Sequence, residues 1–144
     1  MLVVIRISGQ VEIRKDIKAT LDRLRLRKKF ACVLLKEKPE FLGMLEKVKF
    51  YVAFGKIDKQ TLTELISKRG RLPGNKPVDK DKITSDLIDS VLNGKKKLTD
   101  IGLKPFFSLH PPRGGFRKST KFLYPKGVLG DWKEEINSLV KRML

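Results

Sequence analysis

The chain has 144 residues, 33 of them Lys or Arg and 16 Asp or Glu, giving a formal charge of +17 and a pI near 10.2. That length suits one domain with a real core, and that charge attracts nucleic acid or anionic surfaces while repelling other basic proteins. A single cysteine excludes an internal disulfide, one cysteine with one histidine excludes a tetrahedral N/S metal site, and no apolar run approaches the roughly 18–20 residues that span a bilayer.

The opening "MLVVIRISGQ" lacks the basic and long apolar regions of a secretory signal, so the expectation is a cytoplasmic chain without a membrane partner. Residues 1–57 then alternate apolar runs with helical patterns. The runs "LVVIRI", "FACVLL" and "FYVAFG" are β-branched and apolar and are bounded by turn or charge clusters, which predicts three strands. Cys32 lies within the second run, where a packed, reduced thiol is expected. Between the first two runs, "DIKATLDRLRL" spaces Ile17, Leu21 and Leu24 as an amphipathic helix, with Asp16 placed to cap it. Between the second and third, "KPEFLGMLEKV" offers Pro39 at a first helical position and a stripe of Phe41, Leu42, Leu45 and Val48. The order is β-α-β-α-β. Two helices with one apolar face each cover one side of a three-stranded sheet, an α+β layer pair.

Beyond residue 57 the sequence turns to helices and irregular connections. "KQTLTELISKRG" carries Leu62, Leu65 and Ile66 on one stripe, Lys68 and Arg69 in its last turn and Gly70 as a stop. After the polar loop "RLPGNKPVDKDK", "ITSDLIDSVLNG" repeats the pattern with Ile83, Leu87, Ile88 and Val91 before Gly94. The end, "GDWKEEINSLVKRML", spaces Asp131 and Glu134 as a variant capping box and puts Ile136, Leu139, Val140 and Met143 on one face. The expected organisation is a β-α-β-α-β core over 1–57 and a mostly helical extension over 58–144, packed together as one compact unit.

Charge is distributed unevenly. Residues 1–57 carry a net +8, 58–103 a net +3, 131–144 none, and 104–130 hold six basic residues and no acid. The acid-free segment contains "LHPPRGGFRKSTKF", with the only histidine. His110 has no second histidine, no nucleophile motif and no phosphate-binding glycine loop to work with, so neither catalysis nor a cofactor is expected. Its neighbours suit a polyanion better. Pro111 and Pro112 stiffen the chain, Gly114 and Gly115 permit positive φ and close backbone approach to phosphate, and Arg113 and Arg117 bracket the glycines. Phe116 and His110 supply flat rings for unpaired bases; the competing reading is a tight turn with Phe116 in the core. Lys118, Lys121 and Lys126 continue the basic stretch. In "RLRLRKK", Leu24 packs inward while Arg23 and Arg27, four apart, share another face of the helix end; Arg25, Lys28 and Lys29 extend that surface. Lys47 and Lys49 close the second helix, and Lys95, Lys96 and Lys97 follow a helix stop, all as candidate RNA contacts.

The pieces "ATLDRLRL", "GMLEKVKFYVAFG", "SLHPPRGGF" and "EEINSLVKRML" closely resemble the large-subunit ribosomal protein family thirty in its archaeal branch, whose eukaryotic counterpart is called family seven. The likeness covers nearly the whole chain. It implies a ferredoxin-like core with a three-stranded antiparallel sheet, and a structural role on large-subunit ribosomal RNA. The implied partners are that RNA, with 5S RNA a further candidate, and neighbouring large-subunit proteins, with no small-molecule substrate. Relatives carry an Asn-His pair where this chain has Phe30 and Ala31, and an Arg where it has Leu42. The contacts of those family residues do not carry over. A free-standing DNA- or chromatin-binding protein would share the charge but needs a recognition helix or a dimer interface. An RNA-modifying enzyme would need the acid/base constellation this chain lacks.

Overall fold

The computed structural model describes the chain from Met1 to Leu144 except residues 8, 10–12, 75, 79–80, 82, 117–118 and 125. The predicted order is present at the start: β1 (Leu2–Arg6), α1 (Lys15–Arg23), β2 (Ala31–Leu35), α2 (Pro39–Val48) and β3 (Val52–Lys56). β1 lies between β2 and β3 and is antiparallel to both, with Val4 opposite Val33 on one side and Phe54 on the other. Pro39 takes the first position of α2 as its fixed φ favours.

Details at the helix ends differ from the sequence reading. Asp16 does not cap α1; it lies in the first turn, where its carboxylate accepts from Arg14 at 3.3 Å, and Arg14 takes the cap position. Leu42 is 46% exposed, so the buried side of α2 is formed by Leu45 and Val48, with Phe41 and Met44 packed beside them. Phe50 stays outside β3, 54% exposed.

Among the described residues the extension holds α3 (Lys59–Arg69), α4 (Ser85–Leu92), α5 (Ile136–Met143) and the 3-10 turns Leu98–Ile101 and Lys133–Glu135. Asp58 caps α3 by accepting from the Thr61 N–H at 2.7 Å. Burial pushes the Asp58 carboxyl up, yet its hydrogen bonds with Thr61 and the charge of Lys141 bring it below the ordinary range. The expected capping box at Asp131 and Glu134 is absent. Asp131 accepts from the Lys133 N–H at 2.8 Å instead, and a 3-10 turn leads into α5.

Besides these helices the extension supplies strands that the sequence reading left as loop. A small hairpin pairs β4 (Arg71–Leu72) with β5 (Lys76–Pro77), while β6 (Phe107–Ser108), β7 (Ser119–Leu123) and β8 (Gly127–Asp131) join the main sheet. The three-stranded antiparallel core thus sits at the centre of a six-stranded sheet ordered β6-β2-β1-β3-β8-β7. β8 runs parallel to β3, with Ala53 opposite Gly130, and the Trp132 N–H donates to the Phe54 carbonyl at 2.8 Å. Trp132 stacks on Tyr124 and donates its indole N–H to Val128 at 2.7 Å.

Both faces of the sheet are consequently covered. Leu2, Val4, Val33 and Phe54 pack with α1 and α2, whereas Val3, Ile5, Cys32 and Ala53 pack with α3, α4, α5 and Trp132. A strand buried on both sides reads as an unbroken apolar run, which is why "LVVI" shows no alternation. Burying each such side chain contributes roughly 1.5–3 kcal/mol, so the extension supplies the stabilisation of an entire face. Asn137 ties it down by accepting from the Asp58 N–H at 3.0 Å and donating to the Lys56 carbonyl at 3.1 Å. Gly55 lies under the same junction, where a Cβ would collide with the Lys133 carbonyl and Ile136.

Candidate nucleic-acid interface

The basic run after α1 is not a continuation of that helix. Leu24 caps α1, and Arg25 adopts φ +64. The Arg25 N–H donates to Asp22 and the Leu26 N–H to Leu21, at 3.0 and 2.9 Å, the two reverse bonds of a Schellman motif. Leu21, Leu24 and Leu26 are buried, while Arg23, Arg25, Arg27, Lys28 and Lys29 are exposed. The Arg-Leu alternation therefore comes from a reversing turn, and Arg23 and Arg27 do not share a helix face. A residue that the sequence reading passed over holds this turn. Arg6 of β1 is 2% exposed and donates Nη1 to the Leu26 carbonyl at 2.7 Å. Burial lowers its pKa and the nearby Asp22 charge partly restores it. The sequence signal was a lone cation inside an apolar strand.

Phe30 follows with φ +65, its N–H donating to Arg6 at 2.7 Å and its carbonyl accepting from Leu109 at 3.1 Å. Its ring centroid lies 6.2 Å from that of Phe116, with the Lys29 ammonium 5.2 Å from the Phe30 ring on the outside. This contact joins the basic turn to the Pro-Pro-Arg-Gly-Gly loop. Ala31 is buried in β2 and presents no polar side chain to this surface.

The loop is docked on the end of α5. The His110 and Arg113 N–H groups donate to the Met143 and Arg142 carbonyls at 3.0 and 3.1 Å, satisfying acceptors that the helix end leaves open. The Gly115 N–H donates to Pro112 at 3.0 Å to close a turn with Gly114 at φ +76 and Gly115 at φ +74. Arg142 reaches back to the carbonyls of Arg113, at 3.1 Å, and Gly115. The glycines are therefore required by backbone conformation, since a Cβ on either would meet open space. The amides of His110, Arg113 and Gly115 face the protein, and what the loop presents outward is the exposed His110 and Arg113 side chains and the glycine backbone. Phe116 is half-buried. Arg117 and Lys118 lie outside the described residues.

The other predicted cations are spread around the sheet. Lys47 lies 4.0 Å from Asp16, and Lys49 bonds Glu46 at 2.8 Å and sits 5.4 Å from the Phe50 ring, so both answer local carboxylates. Lys121 and Lys126 belong to the opposite edge, on and beside β7, with the Lys126 ammonium 4.6 Å from the exposed Phe122 ring. Lys95, Lys96 and Lys97 are exposed in the turn after α4.

Two of these clusters meet in a groove of about 420 Å³ between the end of α1, β2, the start of α2 and the turn after α4. Arg23, Arg25, Lys96 and Lys97 line it with Lys36 and Lys38, which the sequence reading did not single out. Its floor is apolar, formed by Leu24, Val33, Leu35, Leu98 and Pro105 beside the Phe41 ring, and among the described residues no carboxylate lines it. Glu37 stands just outside, 3.6 Å from the Met1 ammonium. Among the described residues no group of three His, Cys, Asp or Glu side chains is placed to hold a metal ion.

Residues 2–52 match the family described as ribosomal protein L30p/L7e. Relatives extend the likeness to the full length. The chain is 43% identical over 152 residues to the large ribosomal subunit protein uL30 of Archaeoglobus fulgidus, covering 99% of each. It is 40% identical to that of Methanocorpusculum labreanum over 99% of each chain, and 39% identical to that of Methanosphaera stadtmanae over the whole of both. The docked loop, the turn after α1 and the two-sided sheet described above are thus those of a protein that belongs to the ribosomal protein L30p/L7e family.

Proposed function

We propose that the chain is a structural, non-catalytic constituent of the large ribosomal subunit, bound there in the cytoplasm to ribosomal RNA and neighbouring proteins. Residues 1–57 form the RNA-binding core in this reading, and 58–144 act with them as one unit by carrying the Pro-Pro-Arg-Gly-Gly loop to the same surface as the turn after α1. The observation that supports it best is the contact of Phe30 with Phe116, which makes one basic surface from segments far apart in sequence. Lysines beside exposed or half-exposed Phe rings at 30, 106 and 122 repeat a pairing suited to phosphate and base together.

The test is binding to a large-subunit ribosomal RNA fragment across a salt series, with 5S RNA and duplex DNA in parallel. Log affinity should fall linearly with log salt, by about 0.7–0.9 per neutralised phosphate, and ribosomal RNA should bind more tightly than the DNA. Arg113→Ala and the pair Arg23→Ala with Arg27→Ala should each weaken binding while melting stays near that of the parent. A flat salt dependence, or equal affinity for duplex DNA, overturns the reading.

A further inference from the structure

The groove beside β2 has a feature that phosphate neutralisation alone does not use. β6 pairs with β2 only at Ala31 and Cys32, so among the described residues no strand pairs with Val33–Leu35 on that side. By the two-residue period of the ladder, Leu34 points its N–H and C=O into that opening. A short stretch of hydrogen-bonding backbone therefore borders an apolar floor, with the half-buried Phe41 ring alongside and cations on the rim.

We propose that this groove takes one unpaired nucleotide of RNA, with its base on the floor against Phe41, its edge towards the Leu34 backbone and its flanking phosphates on Arg23, Arg25, Lys96 and Lys97. A nucleotide has this same division into a flat, weakly polar body with a hydrogen-bonding rim and an anionic backbone, and unpaired bases are the usual object of sequence-sensitive RNA recognition. The volume falls within the range of sites that enclose a small ligand. An acidic peptide would match the charge, but adding a strand needs a pairable edge of several residues. This edge offers three before Lys36, whose carbonyl is already bonded by the Lys38 N–H at 2.8 Å. The inference rests on the RNA-binding reading and adds to it a base-accepting subsite remote from the glycine loop.

The experiment uses the full chain and a ten-nucleotide single-stranded RNA of mixed sequence with 2-aminopurine at its centre, free or annealed to its complement. Binding should change the 2-aminopurine emission of the single strand. Phe41→Leu, which keeps apolar volume without the ring, and Phe41→Ala should weaken single-strand binding by about 5- to 160-fold, the range of one lost base–aromatic stack, and leave duplex binding unchanged. Lys96→Gln with Lys97→Gln, both in an exposed turn, should lower the salt slope by roughly 1.5. Parental single-strand affinity in both Phe41 variants overturns the subsite, even where salt-dependent binding to ribosomal RNA persists and the broader function stands. Displacement of the RNA by an alternating Leu-Glu octapeptide whose own binding is lost in Phe41→Leu also overturns it, in favour of a protein occupant.

Discussion

The turn after α1 and the Pro-Pro-Arg-Gly-Gly loop solve one problem in opposite ways. Each reverses the chain through left-handed backbone and each is held by an arginine from another element, Arg6 for the first and Arg142 for the second. The loop reverses at Gly114 and Gly115, where φ near +75 carries no Cβ penalty. The turn reverses at Arg25 and again at Phe30, residues for which that conformation costs about 1–2 kcal/mol each. Glycine is accepted where only the path of the backbone matters. A strained side chain is kept where the side chain itself reaches the groove or the Phe116 ring.

The largest effect expected from breaking this comparison is at the buried anchor. Arg6→Ala strips the Leu26 carbonyl of its buried donor and leaves a cavity in the sheet, and should destabilise the fold by about 3 kcal/mol or more, read from denaturant melting. Arg142→Ala removes the matching anchor at a wetter site and should lower global stability by about 1 kcal/mol at most. Its signature is local: faster amide exchange at residues 113–116, with the sheet amides unaffected. The smallest effects form a pair of opposite sign. Arg25→Gly relieves strain of about 1–2 kcal/mol but gives back about 0.4–1 through a more flexible unfolded chain, for a net gain of roughly 0.5–1 kcal/mol with weaker RNA binding. Gly114→Ala runs the same arithmetic backwards and should lose roughly 0.5–1 kcal/mol, the sheet remaining folded. Equal signs in the two melting experiments would dissolve the distinction.

How much of this was legible depended on whether a signal was local. The stripe of Leu62, Leu65 and Ile66 and that of Ile136, Leu139, Val140 and Met143 predict α3 and α5, and all seven residues are buried. β8 was not legible. "GVLGD" is short and flanked by glycine, and it becomes a strand because β3 offers it a parallel edge. The unbroken run "LVVI" did carry the information that both faces of the sheet are covered, although the two-layer reading used only one of them. At the candidate interface the glycines and Arg113 stood out through residue type. Lys36 and Lys38 did not, because their significance comes from facing the turn after α4 across the groove. Position 30 ties the two levels together. Phe30 holds a left-handed backbone, φ +65, and sets its ring 6.2 Å from that of Phe116, a partner that only the fold brings near.

The parallel register of Ala53 with Gly130 also bears on how the molecule is made. Chains emerge from the N-terminus at about 5–20 residues per second, so β1, β2 and β3 are complete several seconds before β8 exists to join them. For that interval β3 has a bare outer edge, and Val3, Ile5 and Ala53 lack the α5 residues that will cover them. An uncovered apolar sheet with an open edge is a template for aggregation. The exposed stage therefore belongs to synthesis, since in the finished fold β8 pairs with that edge of β3 and α5 packs on the face beneath it.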